Sequence, residues 1–471
     1  MSNPEDFDVI VIGAGAVGDN VADRVVQAGL SAALVEAELV GGECSYWACM
    51  PSKALLRPGT ALKAAATVAG AREAVTGPLN VQQVLDRRNQ FTSNWDDSSQ
   101  ADWVNDSGIT LIRGTALLTG ERSVEVTHDD GVIPLRARIA VVLATGSTPI
   151  IPPIAGLDDV DFWGTREATS AALVPASLAV LGGGVAGAEL AQAFARLGAK
   201  VTIIARGGLL SNYPKPAGEL VRKGLENDGV DVLTGTATES VRQSADGTVT
   251  VSLEGGGTVT AEKLLVSTGR RPALAGLGLE ELDLDPGKVV TDSSGRVQGA
   301  DWLYAVGDAA GKVLLTHQGK YEARITGSAI AARAAGTLGD TVQDWSAYAA
   351  TADQYAVPQV VFTDPEIAMA GRTLKQGQDA GLKVSETSLE IAVAGSALHS
   401  DGYQGWAQMV VDEDRKVLIG MTFAGPDVAE LLHAATIAIA GEVPLDRLWH
   451  AVPAYPTISE VWLRLLEQYG L

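Results

Sequence analysis

Phe7-Asp8-Val9-Ile10-Val11-Ile12-Gly13-Ala14-Gly15-Ala16-Val17-Gly18 is an apolar, strand-forming run that ends in a glycine-rich turn. The unbroken apolar character of Val9 to Ile12 fits a strand buried on both faces, as in a parallel sheet. The glycines open a helix, and Ala32-Ala33-Leu34-Val35-Glu36 reads as the next strand. Strand, turn, helix and terminal acid make a complete dinucleotide-binding unit. The glycines let a pyrophosphate approach the helix N-terminus, and the carboxylate accepts hydrogen bonds from a ribose diol. Gly13, Gly15, Gly18 and Glu36 are therefore candidate cofactor contacts.

The same pattern recurs. Leu178-Ala179-Val180-Leu181 reads as a strand, Gly182-Gly183-Gly184-Val185-Ala186-Gly187 as a phosphate turn and Lys200-Val201-Thr202-Ile203-Ile204 as a closing strand. Gly13 to Glu36 and Gly182 to Ala205 both span 23 positions, so the copies are in register. Where the first copy has its acid, the second has Ala205 followed by Arg206. That change removes a group that repels a 2′-phosphate and adds one that binds it, which predicts an NADPH site built on Gly182, Gly184, Gly187 and Arg206. The glycine at 187 and the single arginine keep NADH open as a second donor.

Between the repeats, Gly41-Gly42-Glu43-Cys44-Ser45-Tyr46-Trp47-Ala48-Cys49-Met50-Pro51-Ser52-Lys53 holds the only two cysteines among 471 residues. They lie five apart, so a helical turn begun by the glycines is expected to place both sulfurs on one face, within bonding reach. So short a bridge removes little entropy from the unfolded chain, which favours redox exchange over a structural role. The bulk numbers narrow the setting. With 57 acidic against 35 basic residues the net charge is -22, which argues against nucleic acid and anionic membrane as partners. The longest apolar runs, such as Ile139 to Leu143, fall far short of the roughly 20 residues of a membrane span, and Met1 to Asp6 does not read as a signal peptide. A cytoplasmic enzyme of about three domains is expected, and no residue is assigned to a metal.

The Cys-x4-Cys segment followed by Pro51-Ser52-Lys53, behind Gly41-Gly42, resembles the redox-active segment of the flavoprotein disulfide reductases, the family of lipoamide dehydrogenase, glutathione reductase and mercuric reductase. The resemblance runs from residue 7 to about 467. It implies an α/β fold: two Rossmann-like dinucleotide-binding domains plus a C-terminal mixed α/β dimerisation domain. The implied boundaries are 1–148 and 272–346 for the FAD-binding and central part, 149–271 for NAD(P)H and 347–471 for dimerisation of a homodimer. The first repeat then holds FAD, with Gly42, Thr145 and Gly146 beside it. Cys49 lies against the flavin and Cys44 exchanges with substrate. Glu189, expected in the first turn of its helix, pairs with Lys53 beside the flavin. Gly269 lies where the chain leaves the nucleotide domain, Asp308 of Gly307-Asp308 bonds the ribityl chain, and His317 has a structural or orienting role.

One segment departs from the pattern. The family's His-Pro-Thr, whose histidine is the catalytic base, is here Tyr455-Pro456-Thr457, with the following Glu460 retained. A tyrosine with a pKa near 10 is ionised in roughly one molecule per thousand at neutral pH, so Tyr455 does not inherit proton shuttling. It either donates a hydrogen bond to a product anion or packs to narrow the pocket, and His450 is read as structural. Soluble transhydrogenases resemble this chain at Tyr-Pro-Thr and at Trp47 but lack one cysteine of the pair. Mercuric reductases carry further cysteines near the C-terminus, where Leu466 to Leu471 has none. The expected activity is electron transfer from NADPH through FAD and the cysteines to a small disulfide or other electrophilic acceptor. The alternatives are a flavin-only acceptor (quinone-type) reductase or transhydrogenase, a dihydrolipoamide-type dehydrogenase with an atypical base, and a redox-sensing protein.

Overall fold

Val9 to Ile12 pair in parallel with Ala140 to Leu143, and every one of these residues is buried. Each fully buried Val, Ile or Leu side chain contributes about 1.5–3 kcal/mol, so this pairing forms the spine of its sheet. In the computed structural model, which describes residues 4–471, the chain divides into two units. The first comprises the residues up to Met50, Asn89–Pro149 and Arg270–Asp353. Its sheet runs Thr110–Arg113, Ala32–Glu36, Glu5–Ile12, Gly131–Leu143, Ser123–His128, Thr115–Gly120, with Leu303–Ala305 pairing in parallel on Gly131–Leu143. Helix Gly18–Gln27 buries Val21, Ala22 and Val25 against Val9, Val11 and Val142 of that sheet.

The second unit comprises Pro51–Arg88, Ile150–Gly269 and Gln354–Leu471. Its parallel sheet runs Asp231–Thr234, Lys200–Ala205, Ser177–Leu181, Lys263–Val266. This is the same order as Thr110–Arg113, Ala32–Glu36, Glu5–Ile12 and Gly131–Leu143 in the first unit. A three-stranded antiparallel sheet, Thr238–Gln243, Val249–Leu253 and Thr258–Ala261, accounts for the β-rich stretch expected after residue 230. The C-terminal part is built on a five-stranded antiparallel sheet ordered Pro358–Val361, Glu366–Gly371, Val417–Gly425, Trp406–Asp412, Val384–Glu390. Val361, Ile367, Trp406 and Ala424 of that sheet share one hydrophobic core with Phe194, Val221 and Leu225 of the nucleotide fold. Among the described residues no helix is long and apolar enough to cross a membrane.

Two local expectations change. The cysteines do not share one helical turn: helix Gly42–Tyr46 stops at Trp47, whose φ of -135° leaves the helical region, and Cys49–Ala66 starts afresh. Pro51 is tolerated there because it falls in the first turn, where its missing N–H has no partner to lose. Glu189 lies in the second turn of its helix, because Gly184 is an extended N-cap and the helix is Val185–Arg196.

Candidate active site

In the first unit the two cysteines approach each other from successive helix ends, in the dithiol state. Cys44 hydrogen-bonds to Cys49, and this bond, together with burial, pushes the Cys44 thiol far above the usual range. Burial and the hydrogen bond to Cys49 both favour the neutral thiol form of Cys44. Cys49 Sγ lies 3.3 Å from Thr316 Oγ1, a hydroxyl placed to donate to a thiolate at the start of helix Thr316–Ala334. Lys320, one turn further along that helix, acts on Cys44 with its charge. The cysteine-bearing turn is held by Tyr46, which is buried and donates from its hydroxyl to Val40 O, and by Trp95 Nε1, which donates to Tyr46 O.

The glycine turns leave room for phosphate. A Cβ on Gly15 would meet only Gly42 Cα, at 4.0 Å, and on Gly184 nothing within 4 Å. In each repeat the first glycine lies tight against the turn after the last parallel strand: a Cβ on Gly13 would sit 2.4 Å from Ala144 O, and on Gly182 2.3 Å from Ser267 O. This is the switch point of a doubly wound sheet, where strand order reverses and dinucleotides bind. Thr145 stands there with a buried hydroxyl that has no partner among the described residues, and Gly146, at φ +73°, has open space beside it. Glu36 is fixed over the first turn, accepting from Ala14 N and Glu38 N, each at 2.7 Å, while burial pushes its carboxyl up. These features fit a bound dinucleotide in the first unit. In the second, Arg206 follows strand Lys200–Ala205 and is exposed, and Gly269 has φ +120°. A Cβ at Gly187 would sit 2.4 Å from Gly182 O, so helix-to-strand packing alone accounts for that glycine and bears little on the choice of nucleotide.

Asp308 opens off Leu303–Ala305 in a short turn, Gly307–Ala310, and accepts a short hydrogen bond from Ser147 Oγ. Arg270 directs that hydroxyl, donating through Nε to Ser147 Oγ at 2.7 Å and through Nη2 to Ser147 O at 2.6 Å. The relay leaves Ser147 one direction for its proton, toward Asp308. Neither Thr316, Ser147 nor Arg270 was marked as functional by its sequence pattern. Thr316 adjoins the expected His317, but nothing in the pattern singles it out.

In the second unit Lys53 Nζ lies 2.7 Å from Glu189 Oε2, and Phe362 N donates to Glu189 Oε1 at 2.9 Å. Glu189 is 2% exposed, and a buried carboxylate is tolerated when both oxygens are satisfied. Lys53 also lies 4.9 Å from the centre of the Phe362 ring, a cation–π distance. Cys49 and Lys53 are one turn apart on the same helix, Cys49–Ala66.

Tyr455 is 76% exposed. Glu460 is buried: Oε1 takes Arg464 Nη2 at 2.5 Å, and Oε2 has no donor among the described residues. His450 is exposed.

Fold and geometry together define an oxidoreductase that handles two dinucleotides and a dithiol. Residues 7–336 match the pyridine nucleotide-disulphide oxidoreductase family, and residues 357–465 its dimerisation domain. The chain is 30% identical over 474 residues to dihydrolipoyl dehydrogenase of Halobacterium salinarum, covering 98% of this chain and 95% of the relative. It is 28% identical over 464 residues to mercuric reductase of Staphylococcus aureus, covering 97% of this chain and 81% of the relative. Its fold is that of the HOCl-induced flavoprotein disulfide reductase RclA from Escherichia coli, solved as a Cu(II) complex, with a TM-score of 0.83 at 23% identity over 99% of each chain. The chain belongs to the pyridine nucleotide-disulphide oxidoreductases, enzymes that use FAD with NAD(P)H as electron donor.

Proposed function

We propose that this enzyme is a homodimeric reductase that carries electrons from NADPH through FAD and the Cys44/Cys49 pair to a small disulfide or other electrophilic acceptor in the cytoplasm. The observation that carries the reading is the hydrogen-bonded sulfur pair, with Thr316 Oγ1 3.3 Å from Cys49 Sγ. Residues 1–148 and 272–346 form the FAD part on Gly13, Gly15, Gly18, Glu36, Gly42, Thr145, Gly146 and Asp308. Residues 149–271 form the NADPH part on Gly182, Gly184, Gly187, Arg206 and Gly269, and residues 347–471 form the dimerisation part. Bound FAD supplies two-electron exchange between the nicotinamide and the cysteines.

Two electrons entering the Cys44–Cys49 bridge break its S–S bond and leave a Cys49 thiolate and, with one proton, a Cys44 thiol. Once Cys44 loses that proton it attacks an acceptor disulfide, forming a mixed disulfide and expelling one acceptor sulfur, which takes up a proton. Cys49 then attacks Cys44, closing the bridge and releasing the second acceptor sulfur, which is protonated in turn. Lys53, held by Glu189, would supply positive charge to a reduced flavin. Tyr455 in the base position favours an acceptor that does not depend on a timed proton transfer. The same substitution gives the second reading, transfer from the flavin straight to an acceptor, as in a quinone-type reductase or a transhydrogenase.

The test is spectroscopic. Anaerobic two-electron reduction of the holoenzyme is expected to produce a long-wavelength charge-transfer absorption from a thiolate beside oxidised flavin, and Cys49→Ser is expected to abolish it. An unchanged band in Cys49→Ser contradicts the assignment of the two sulfurs.

A further inference from the structure

Helix Thr316–Ala334 buries an acid that the electron path does not use. Glu322 is 4% exposed, and its Oε2 accepts from Gly307 N at 2.6 Å, the first residue of the turn that carries Asp308. Asp353 belongs to the same unit and accepts from Gln318 Nε2 through Oδ1 at 2.6 Å. The remaining oxygens, Glu322 Oε1 and Asp353 Oδ2, are both buried, and among the described residues no N–H or hydroxyl of another group serves either. The two carboxyls face each other closely enough to hydrogen-bond. Two ionised carboxylates in such a place repel and lack hydration, whereas a single proton between them satisfies both orphan oxygens.

We propose that Glu322 and Asp353 hold one proton between them and that this shared proton fixes the Gly307–Asp308 turn for FAD, which makes Glu322 a positioning residue of the cofactor site. The proposal rests on the reading of Asp308 as a flavin contact. Burial, and then the charge of Asp353, push the Glu322 carboxyl well above the usual range, and burial raises Asp353 as well. The surrounding charges do not undo this. Lys312 acts on both carboxyls, and Tyr321, whose hydroxyl lies against the backbone of Ala349 and Ala352, is itself pushed up by burial and by the charge of Asp353.

Gly307, at φ +61°, passes so close to Val17 that a Cβ would meet its side chain at 3.2 Å, which leaves the turn little alternative path. When the shared proton leaves, repulsion drives Glu322 Oε2 off Gly307 N and a buried donor loses its partner. The sign follows from a carboxyl raised in the folded protein. Its contribution is complete below the ordinary carboxylate range and is lost as pH rises through the elevated value.

The experiment measures FAD release from the holoenzyme by flavin fluorescence, from neutral to strongly alkaline pH. In the natural protein, FAD affinity is expected to fall by up to about tenfold per pH unit above the raised titration. Glu322→Gln retains an acceptor for Gly307 N and adds a donor for Asp353, so its alkaline loss should be largely abolished, while Glu322→Ala should bind FAD weakly at every pH. Asp353→Asn, which keeps the Gln318 acceptor and gives Glu322 a donor, should show the same flattened profile and covers the case in which the Glu322 variants do not fold. At neutral pH the infrared difference spectra, natural protein minus Glu322→Gln and natural protein minus Asp353→Asn, should each show a carbonyl band of a protonated carboxylic acid that the variant has lost. A natural-like alkaline loss in Glu322→Gln or Asp353→Asn, or absence of that band, overturns the shared proton. Asp308→Ala separates the two readings. If it keeps FAD at full affinity, the Asp308 assignment fails while the band still reports the proton; if it loses FAD and the natural profile is flat, only the proton fails.

Discussion

In the proposed reading, the choice of acceptor turns on Tyr455. Glu460, the carboxylate expected to orient a histidine in the family, is buried, and its Oε2 has no donor among the described residues. A positioned base commonly contributes ~10²–10⁴ in rate, so oxidation of dihydrolipoamide should be slow in the natural enzyme. Tyr455→His is expected to raise that rate at neutral pH by a clear multiple, measured as NAD(P)+ reduction with dihydrolipoamide. Efficient oxidation by the unmodified enzyme would mean that another group supplies the base. The residues of this site were unevenly legible in the sequence. The contact of Lys53 with Glu189, 136 positions apart, followed from family resemblance and from no local pattern. Thr316 against Cys49 and the Arg270–Ser147–Asp308 relay join segments between 123 and 267 positions apart, and their residue types are ordinary in strands and helix starts. Such contacts are set by tertiary packing alone.

At the scale of elements, both strand–turn–helix repeats were legible because their glycines and buried strands leave few alternatives, and the same strand order recurs in the two parallel sheets. The helix breaks were not. Gly184 reads as part of a helical turn but is extended, and Trp47 interrupts what the cysteine spacing suggests is one helix. The ends of the second strands differ in charge, half-buried Glu36 against exposed Arg206, and in the proposed reading this difference sets the nucleotide preference. A charge-assisted contact of about 1.5–3 kcal/mol between Arg206 and a 2′-phosphate corresponds to roughly 10- to 150-fold preference for NADPH in kcat/KM. Arg206→Glu should reverse the order of the two nucleotides, and equal kcat/KM values for them in the natural enzyme would refute the assignment.

For the whole molecule, the net charge of -22 leaves small anionic cofactors dependent on backbone N–H groups and local cations rather than on a basic surface. Val452, 86% exposed, and Tyr455 project from the part of the chain that matches a dimerisation domain, in keeping with a homodimer whose partner covers them. The acceptor's identity was the least legible property, because no local motif encodes an acceptor pocket. The central claim is that electrons leave through the sulfurs. Its most direct test is steady-state NADPH oxidation with a disulfide acceptor by the holoenzyme carrying both Cys44→Ser and Cys49→Ser. The account predicts that this variant still binds FAD and lets NADPH reduce it, but does not turn over the acceptor. Turnover at the natural rate would contradict it and place electron exit at the flavin itself.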